Sequence, residues 1–181
     1  MDNHLMPECY LDTNLMETIL PPQKAYNHQK GCNDVVKLMA EKFQNRFALG
    51  VLDIDKDSFD KLRTKQFTLL QENNGLMLYK HQSEKHYLIL HPNIEKWLIE
   101  EAQQVNLSLE FYSLSSNLEE LKKLSKPKTS KDNPRFKVVF EKLKQQNAKG
   151  ITQLFNWAAY LMNNADQIDE TLLKNIGNSP S

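Results

Sequence analysis

The sequence predicts an α/β fold: a mostly parallel sheet flanked by helices, with a helical C-terminal part. Strand-like and helix-like apolar patterns alternate through the first part of the chain, acidic residues stand where strand-like runs end, and the last third carries helical periodicity alone.

In chain order, Thr13 or Asn14 can cap a short helix through LMETIL, which Pro21 and Pro22 stop because proline has no N–H to donate. A short extended piece follows in KAYNHQ. Gly31 and Asn33 punctuate the start of the next helix, to which Val35, Val36, Leu38, Met39 and Phe43 give one apolar side. The near-continuous apolar run FALGVLDID reads as a buried strand whose last residues emerge at the sheet edge. Ser58 suits the N-cap of a helix over FDKLRTKQFTLLQ, closed by the turn residues Asn74 and Gly75. The β-prone runs LMLYKH and HYLILH, joined by the polar QSEK, are expected to lie side by side. Pro92 and Asn93 open a helix with Ile94, Trp97, Leu98 and Ala102 on one side, and SLEFYSL adds a further strand. From Asn117 onward the pattern is helical, interrupted by the loop SKPKTSKDN. Phe136, Val139, Phe140 and Leu143 keep the amphipathic spacing, and ITQLFNWAAYLMNN is apolar enough to be packed. The chain thus divides into an α/β core over residues 1–115 and a helical extension over 116–181 packed on it.

Of the 181 residues, 40% are hydrophobic and 25% charged, the balance of a globular chain with one sizeable core. No apolar run reaches the length of about 18 residues that a membrane span needs, and the N-terminal MDNHLMPECY lacks signal-peptide character, so the expectation is a cytoplasmic protein without membrane contact. Cys9 and Cys32 are too few for a disulfide framework or a zinc site. His81, His86 and His91 recur every five residues, a spacing that alternates faces on a strand and argues against a shared histidine metal site.

Two acidic clusters remain. In PECYLDT, Glu8 and Asp12 flank the entrance to the first helix; in VLDIDKD, Asp53 and Asp55 are two apart, so on a continuing strand they share one face. In α/β sheets the loops leaving the carboxyl ends of the strands converge on one crevice, which would unite Glu8 with Asp53. Mg²⁺ takes oxygen ligands and needs only one or two carboxylates beside waters and substrate phosphates. DIDKD is equally a turn and helix start, in which Asp57 or Ser58 simply caps the next helix.

The pattern Glu-x-x-x-Asp in ECYLD, then a helix, a strand, another helix and an apolar strand ending in Asp-x-Asp, resembles the TOPRIM (topoisomerase-primase) domain, in the style of small stand-alone microbial proteins and the nuclease domains of phage-defence proteins. The resemblance covers roughly residues 5 to 100. It implies a Mg²⁺- or Mn²⁺-dependent nuclease or other phosphodiester-processing protein. Glu8 would act in acid–base chemistry or metal binding, Asp53 and Asp55 would hold the metal during catalysis, and Asp12 would match the acid that closes the first motif. Glu95, in the first turn of its helix, stands where TOPRIM-like nucleases often carry another acid; a first-turn acid is equally favoured by the helix dipole. Two departures are plain: Cys9 replaces the glycine usual after the first Glu, and HLMP makes only a thin first strand.

The net charge of zero hides an uneven spread, for residues 122–149 carry ten Lys or Arg against two Asp or Glu. Within that block, Lys122, Lys123, Lys126, Lys128, Lys131, Arg135 and Lys137 form either a solvated helix face and linker or the surface that holds a nucleic-acid backbone near the metal. Lys30, ahead of the second helix, either faces a phosphate or is merely exposed. Two rival readings stand beside the nuclease: a TOPRIM-shaped subunit that binds a protein partner without catalysis, and a haloacid-dehalogenase-like phosphatase, whose Asp-x-Asp normally lies on the first strand.

Overall fold

The computed structural model describes residues 4–22, 25–54 and 66–176. Its sheet has the strand order β1 (Leu5–Pro7), β2 (Ala48–Asp53), β5 (His86–His91), β4 (Leu76–His81), β3 (Phe67–Asn73). The first three are parallel neighbours and the last three antiparallel ones, so the sheet is mixed where a mostly parallel one was expected. The connections explain the change, because the short links after β3 and β4 can only return the chain antiparallel, whereas a parallel pair needs a long crossover.

β2 lies at the parallel centre and is buried on both faces. Leu49 and Val51 face a large core built with α1 (Tyr10–Ile19), α3 (Ile94–Gln104), α5 (Pro134–Gln145) and α6 (Lys149–Asn163). Ala48 and Leu52 face a smaller core under α2 (Cys32–Lys42), filled by Val35, Met39 and Phe43. Gly50 lets α2 approach this closely, since a Cβ there would lie 2.7 Å from Leu88 Cδ2 and 2.9 Å from Val35 Cγ1. α4 (Leu118–Ser125) and α7 (Glu170–Asn175) complete the helices of the described residues.

Several expected elements differ. The first helix begins at Tyr10, ahead of Thr13, because Cys9 caps it: Asp12 N donates to Cys9 Sγ at 3.3 Å while Cys9 N donates to Asp12 Oδ2 at 3.1 Å. Of the expected helix 59–71, residues 67–71 belong to β3 and Gln66 to the turn before it; 59–65 and the cap Ser58 lie outside the described residues. Asn74 and Gly75, both at positive φ (50° and 75°), form the tight turn of a β3–β4 hairpin where a helix end was expected. The expected strand in 108–114 is a single 3₁₀ turn at Glu110–Tyr112, and the 125–133 loop holds another at Lys128–Asp132. Residues 25–30 run beside β1, with Asn27 N donating to Leu5 O and Gln29 N to Pro7 O, and so cover the sheet edge. Among the described residues no helix is long and apolar enough to cross a membrane.

Candidate functional site

The parallel half of the sheet brings three side chains to one edge. Glu8 follows β1, Asp53 ends β2 and His91 ends β5, with Asp53 and His91 paired in register. Glu8 prolongs the ladder by donating its N–H to Val51 O at 3.0 Å, which turns its carboxylate across the strand ends. There Oε2 accepts from Asp53 N at 2.9 Å and Oε1 from Cys32 N, in the first turn of α2, at 3.0 Å. Burial pushes the Glu8 carboxyl up to about 7; the Asp53 N–H opposes the rise, and the charges of Asp12 and Asp53 add to it.

His91 is fully buried between two acids. Its Nε2 lies 3.2 Å from Asp12 Oδ1 and its Nδ1 3.1 Å from Asp53 Oδ1, while its ring stacks on Trp97 at a centroid distance of 5.4 Å. Nδ1 also lies 2.8 Å from the Pro92 carbonyl oxygen. Neither carboxylate oxygen facing the ring has an aligned hydrogen bond, so these are ion-pair contacts set by charge. Burial alone would hold the imidazole neutral; the Asp12 carboxylate, reinforced by Asp53, carries its pKa well above the ordinary value. Burial raises the Asp53 carboxyl, the His91 contact pulls it back, and the charges of Asp12 and Glu95 add to the rise. Glu95 is buried in the first turn of α3, where Ser125 Oγ donates to it.

Of the acids singled out in the sequence, Glu8, Asp12 and Asp53 therefore meet, and Asp55 lies outside the described residues. Asp12 is fully buried, with Oδ2 held by Cys9 N and Oδ1 against His91. Its place is across the His91 ring from Asp53, not at the surface. Among the described residues no group of three or more His, Cys, Asp or Glu is arranged to hold a metal ion. A hydrated Mg²⁺ takes only one or two carboxylates beside waters, and Glu8 and Asp53 are two carboxylates that share this edge. Each Glu8 oxygen accepts one N–H and keeps a lone pair, and the Asp53 side chain is 29% exposed, its Oδ1 buried against His91.

The basic block divides. Lys122 pairs with Glu119 at 2.9 Å and Lys131 with Glu17 at 3.7 Å, and Arg135 donates to Ser113 O. Lys123, Lys126, Lys128 and Lys137 are exposed. The segment around Lys131 is fastened to α1, for the buried Asn14 side chain donates to Ser130 O at 2.9 Å and to Asn133 O at 3.2 Å. The middle of the block is thus carried on the helix whose first turn holds Asp12, while Lys122 and Lys123 lie on α4.

Sequence reasoning missed His91. The usable signal was its place as the last residue of a β-prone run directly before Pro92 and Asn93. What the spacing could not reveal is that this strand pairs parallel with β2. His81 and His86 belong to the opposite end of the sheet, where His86 Nε2 lies 3.0 Å from Phe43 O and the two rings meet edge to face. Compared with protein-family models, curated proteins and solved structures, the chain matches none.

Proposed function

We propose that the protein is a TOPRIM-like, Mg²⁺- or Mn²⁺-dependent phosphodiester-processing protein, a nuclease in the simplest case, that acts on nucleic acid. The observation that carries this reading is the meeting of Glu8 and Asp53 at the carboxyl ends of adjacent parallel strands, joined through the 2.9 Å contact of Asp53 N with Glu8 Oε2. Glu8 and Asp53 would hold the ion, with Asp55 as the further ligand that the sequence offers. When bound, the ion supplies charge to polarise a phosphoryl oxygen and offset negative charge developing on it. The chain's own residues do the remainder. His91 holds the Asp53 carboxylate in place and Asp12 holds His91, the arrangement by which second-layer groups fix a ligand's direction. In the alternative in which Asp53 and Asp55 hold the ion without Glu8, the Glu8 carboxyl, raised by burial to about 7, is suited to take or give a proton at its Oε atoms near neutral pH. The exposed lysines of the basic block would keep a polyanion beside an acidic edge that otherwise repels it.

Calorimetric titration with Mg²⁺ and Mn²⁺ tests the reading. The parent protein should bind and Asp53→Asn should not, and a labelled oligonucleotide should be cut by the parent alone. A second reading, a non-catalytic subunit that binds a protein partner, draws on one observation. The His91 imidazolium already balances Asp12 and Asp53 from within, so these acids do not require a cation to coexist. No response of the parent protein to either ion would favour it.

A further inference from the structure

Beside the acidic edge, two rings are set in a way the proposed metal chemistry does not use. Tyr10, the first residue of α1, stacks on His28 with centroids 4.3 Å apart and planes 18° from parallel, and both residues are partly exposed. The histidine is held in one orientation from behind. Thr13 Oγ1 donates its proton to Cys9 O at 2.8 Å, so at its 3.0 Å contact with His28 Nδ1 it can only accept. The proton of the neutral ring therefore sits on Nδ1. Burial keeps the imidazole neutral, the Cys9 carbonyl opposes this, and the nearby charges of Lys131 and Lys30 favour it.

Three segments meet to build this arrangement. Glu17 on α1 accepts from Tyr26 N at 3.1 Å and pairs with Lys131 at 3.7 Å, which ties both the 25–30 stretch and the 128–132 turn to the same helix. Lys30 is exposed beside the rings. A stacked aromatic pair with the exposed Lys30 beside it, one ring two residues after Glu8 in the chain, has the chemistry of a single-strand site: stacking on the faces of bases, with a cation for the backbone. Bases in a duplex offer no free faces to such a pair.

We propose that the Tyr10–His28 stack is a base-stacking platform that makes the protein select single-stranded over duplex nucleic acid. The inference rests on the reading that the substrate is nucleic acid. It deepens that reading by naming strandedness and the residues that choose it.

The test is fluorescence anisotropy with end-labelled 15-nucleotide dT and U strands and a 15-base-pair duplex, at low and moderate salt, in EDTA so that no metal is involved. The single strands should bind more tightly than the duplex. Tyr10→Ala should weaken single-strand binding by about 5- to 100-fold, the range for losing one stacked base, with little change for duplex. Tyr10→Phe should retain the parent's affinity within about twofold, because the platform uses the ring and not the hydroxyl. Circular dichroism and a urea midpoint for Tyr10→Ala guard against a folding defect, and Tyr10→Trp, which offers a larger stacking face, should bind at least as well as the parent. Equal binding of duplex and single strands, or an undiminished affinity in folded Tyr10→Ala, would overturn the platform while leaving a nucleic-acid substrate in place. Absence of binding to all three probes at low salt would instead remove that substrate reading, and the platform with it.

Discussion

Replacing His91 by Gln puts the central ion pair to the test. Asp12 and His91 both have fully buried side chains, 3.2 Å apart, and among the described residues the Asp12 carboxylate keeps the Cys9 N–H as its one hydrogen-bond donor once the imidazolium is gone. Removing one member of such a pair leaves a charge in a low-dielectric interior, a change that costs about 3–5 kcal/mol. Against a total stability of roughly 5–15 kcal/mol for a domain, that is a large fraction. Removing both charges together avoids the stranded carboxylate. The double variant Asp12→Asn/His91→Gln should therefore lose less than the two single losses combined, by up to about 3 kcal/mol of coupling. Urea unfolding of the parent, both single variants and the double variant at neutral pH provides the cycle. His91→Gln should also weaken Mg²⁺ binding, by about 10- to 100-fold, because Asp53 loses the group that orients it. A single-variant cost below about 1 kcal/mol, or additivity within about 0.5 kcal/mol, would refute the reasoning that this buried pair is charged and mutually dependent.

Two further outcomes are expected from other parts of the molecule. Changing Lys126, Lys128 and Lys131 together to Gln should weaken nucleic-acid binding and flatten its logarithmic dependence on salt by about 2, since each phosphate contact contributes roughly 0.7–0.9 to the slope; an unchanged slope would leave the block as a solvated surface. His81, held neutral by burial with its Nδ1 accepting from Ser83 N and Glu84 N, has a lowered pKa, so its contribution to stability is present above about pH 6.5 and is lost as the pH falls through the lower folded value. Urea midpoints for the parent and His81→Asn should accordingly draw together between pH 7.5 and 5, and a constant gap would contradict the assignment.

The α/β class and the strand end carrying Asp53 were legible because a near-continuous apolar run that stops at a carboxylate reads as a buried strand reaching the sheet edge, whereas before Glu8 the sequence offered only the thin HLMP. The β4–β5 pair was legible for a similar reason, two β-prone runs with a short polar link. Strand direction was not. Asn74-Gly75 serves both helix ends and type I′ hairpin turns, and the choice between them rests on whether residues 67–73 find a partner in β4, which is a long-range fact. The pairing of Asp12 and Asp53 was hidden in the same way, because the group between them, His91, comes almost forty residues after Asp53. Cys9 was weighed as a missing glycine and against disulfide and zinc chemistry; nothing local suggested that its thiol caps α1.

The fastening of Ser130 and Asn133 to Asn14 also bears on how the chain is made. The residues joined are separated by 116 and 119 positions, so a growing chain emerging from the ribosome presents Glu8, α1 and the three parallel strands well before the segment that closes over α1 exists. At about 5–20 residues per second, the interval between completing β5 and completing that segment lasts a few seconds. Throughout it the buried amide of Asn14 has no carbonyl to meet, and the apolar flank of α1 waits for α5. Synthesis thus leaves α1, whose first turn holds Asp12, without its cover until the last third of the protein arrives, and a pause in translation between these points would prolong the exposure.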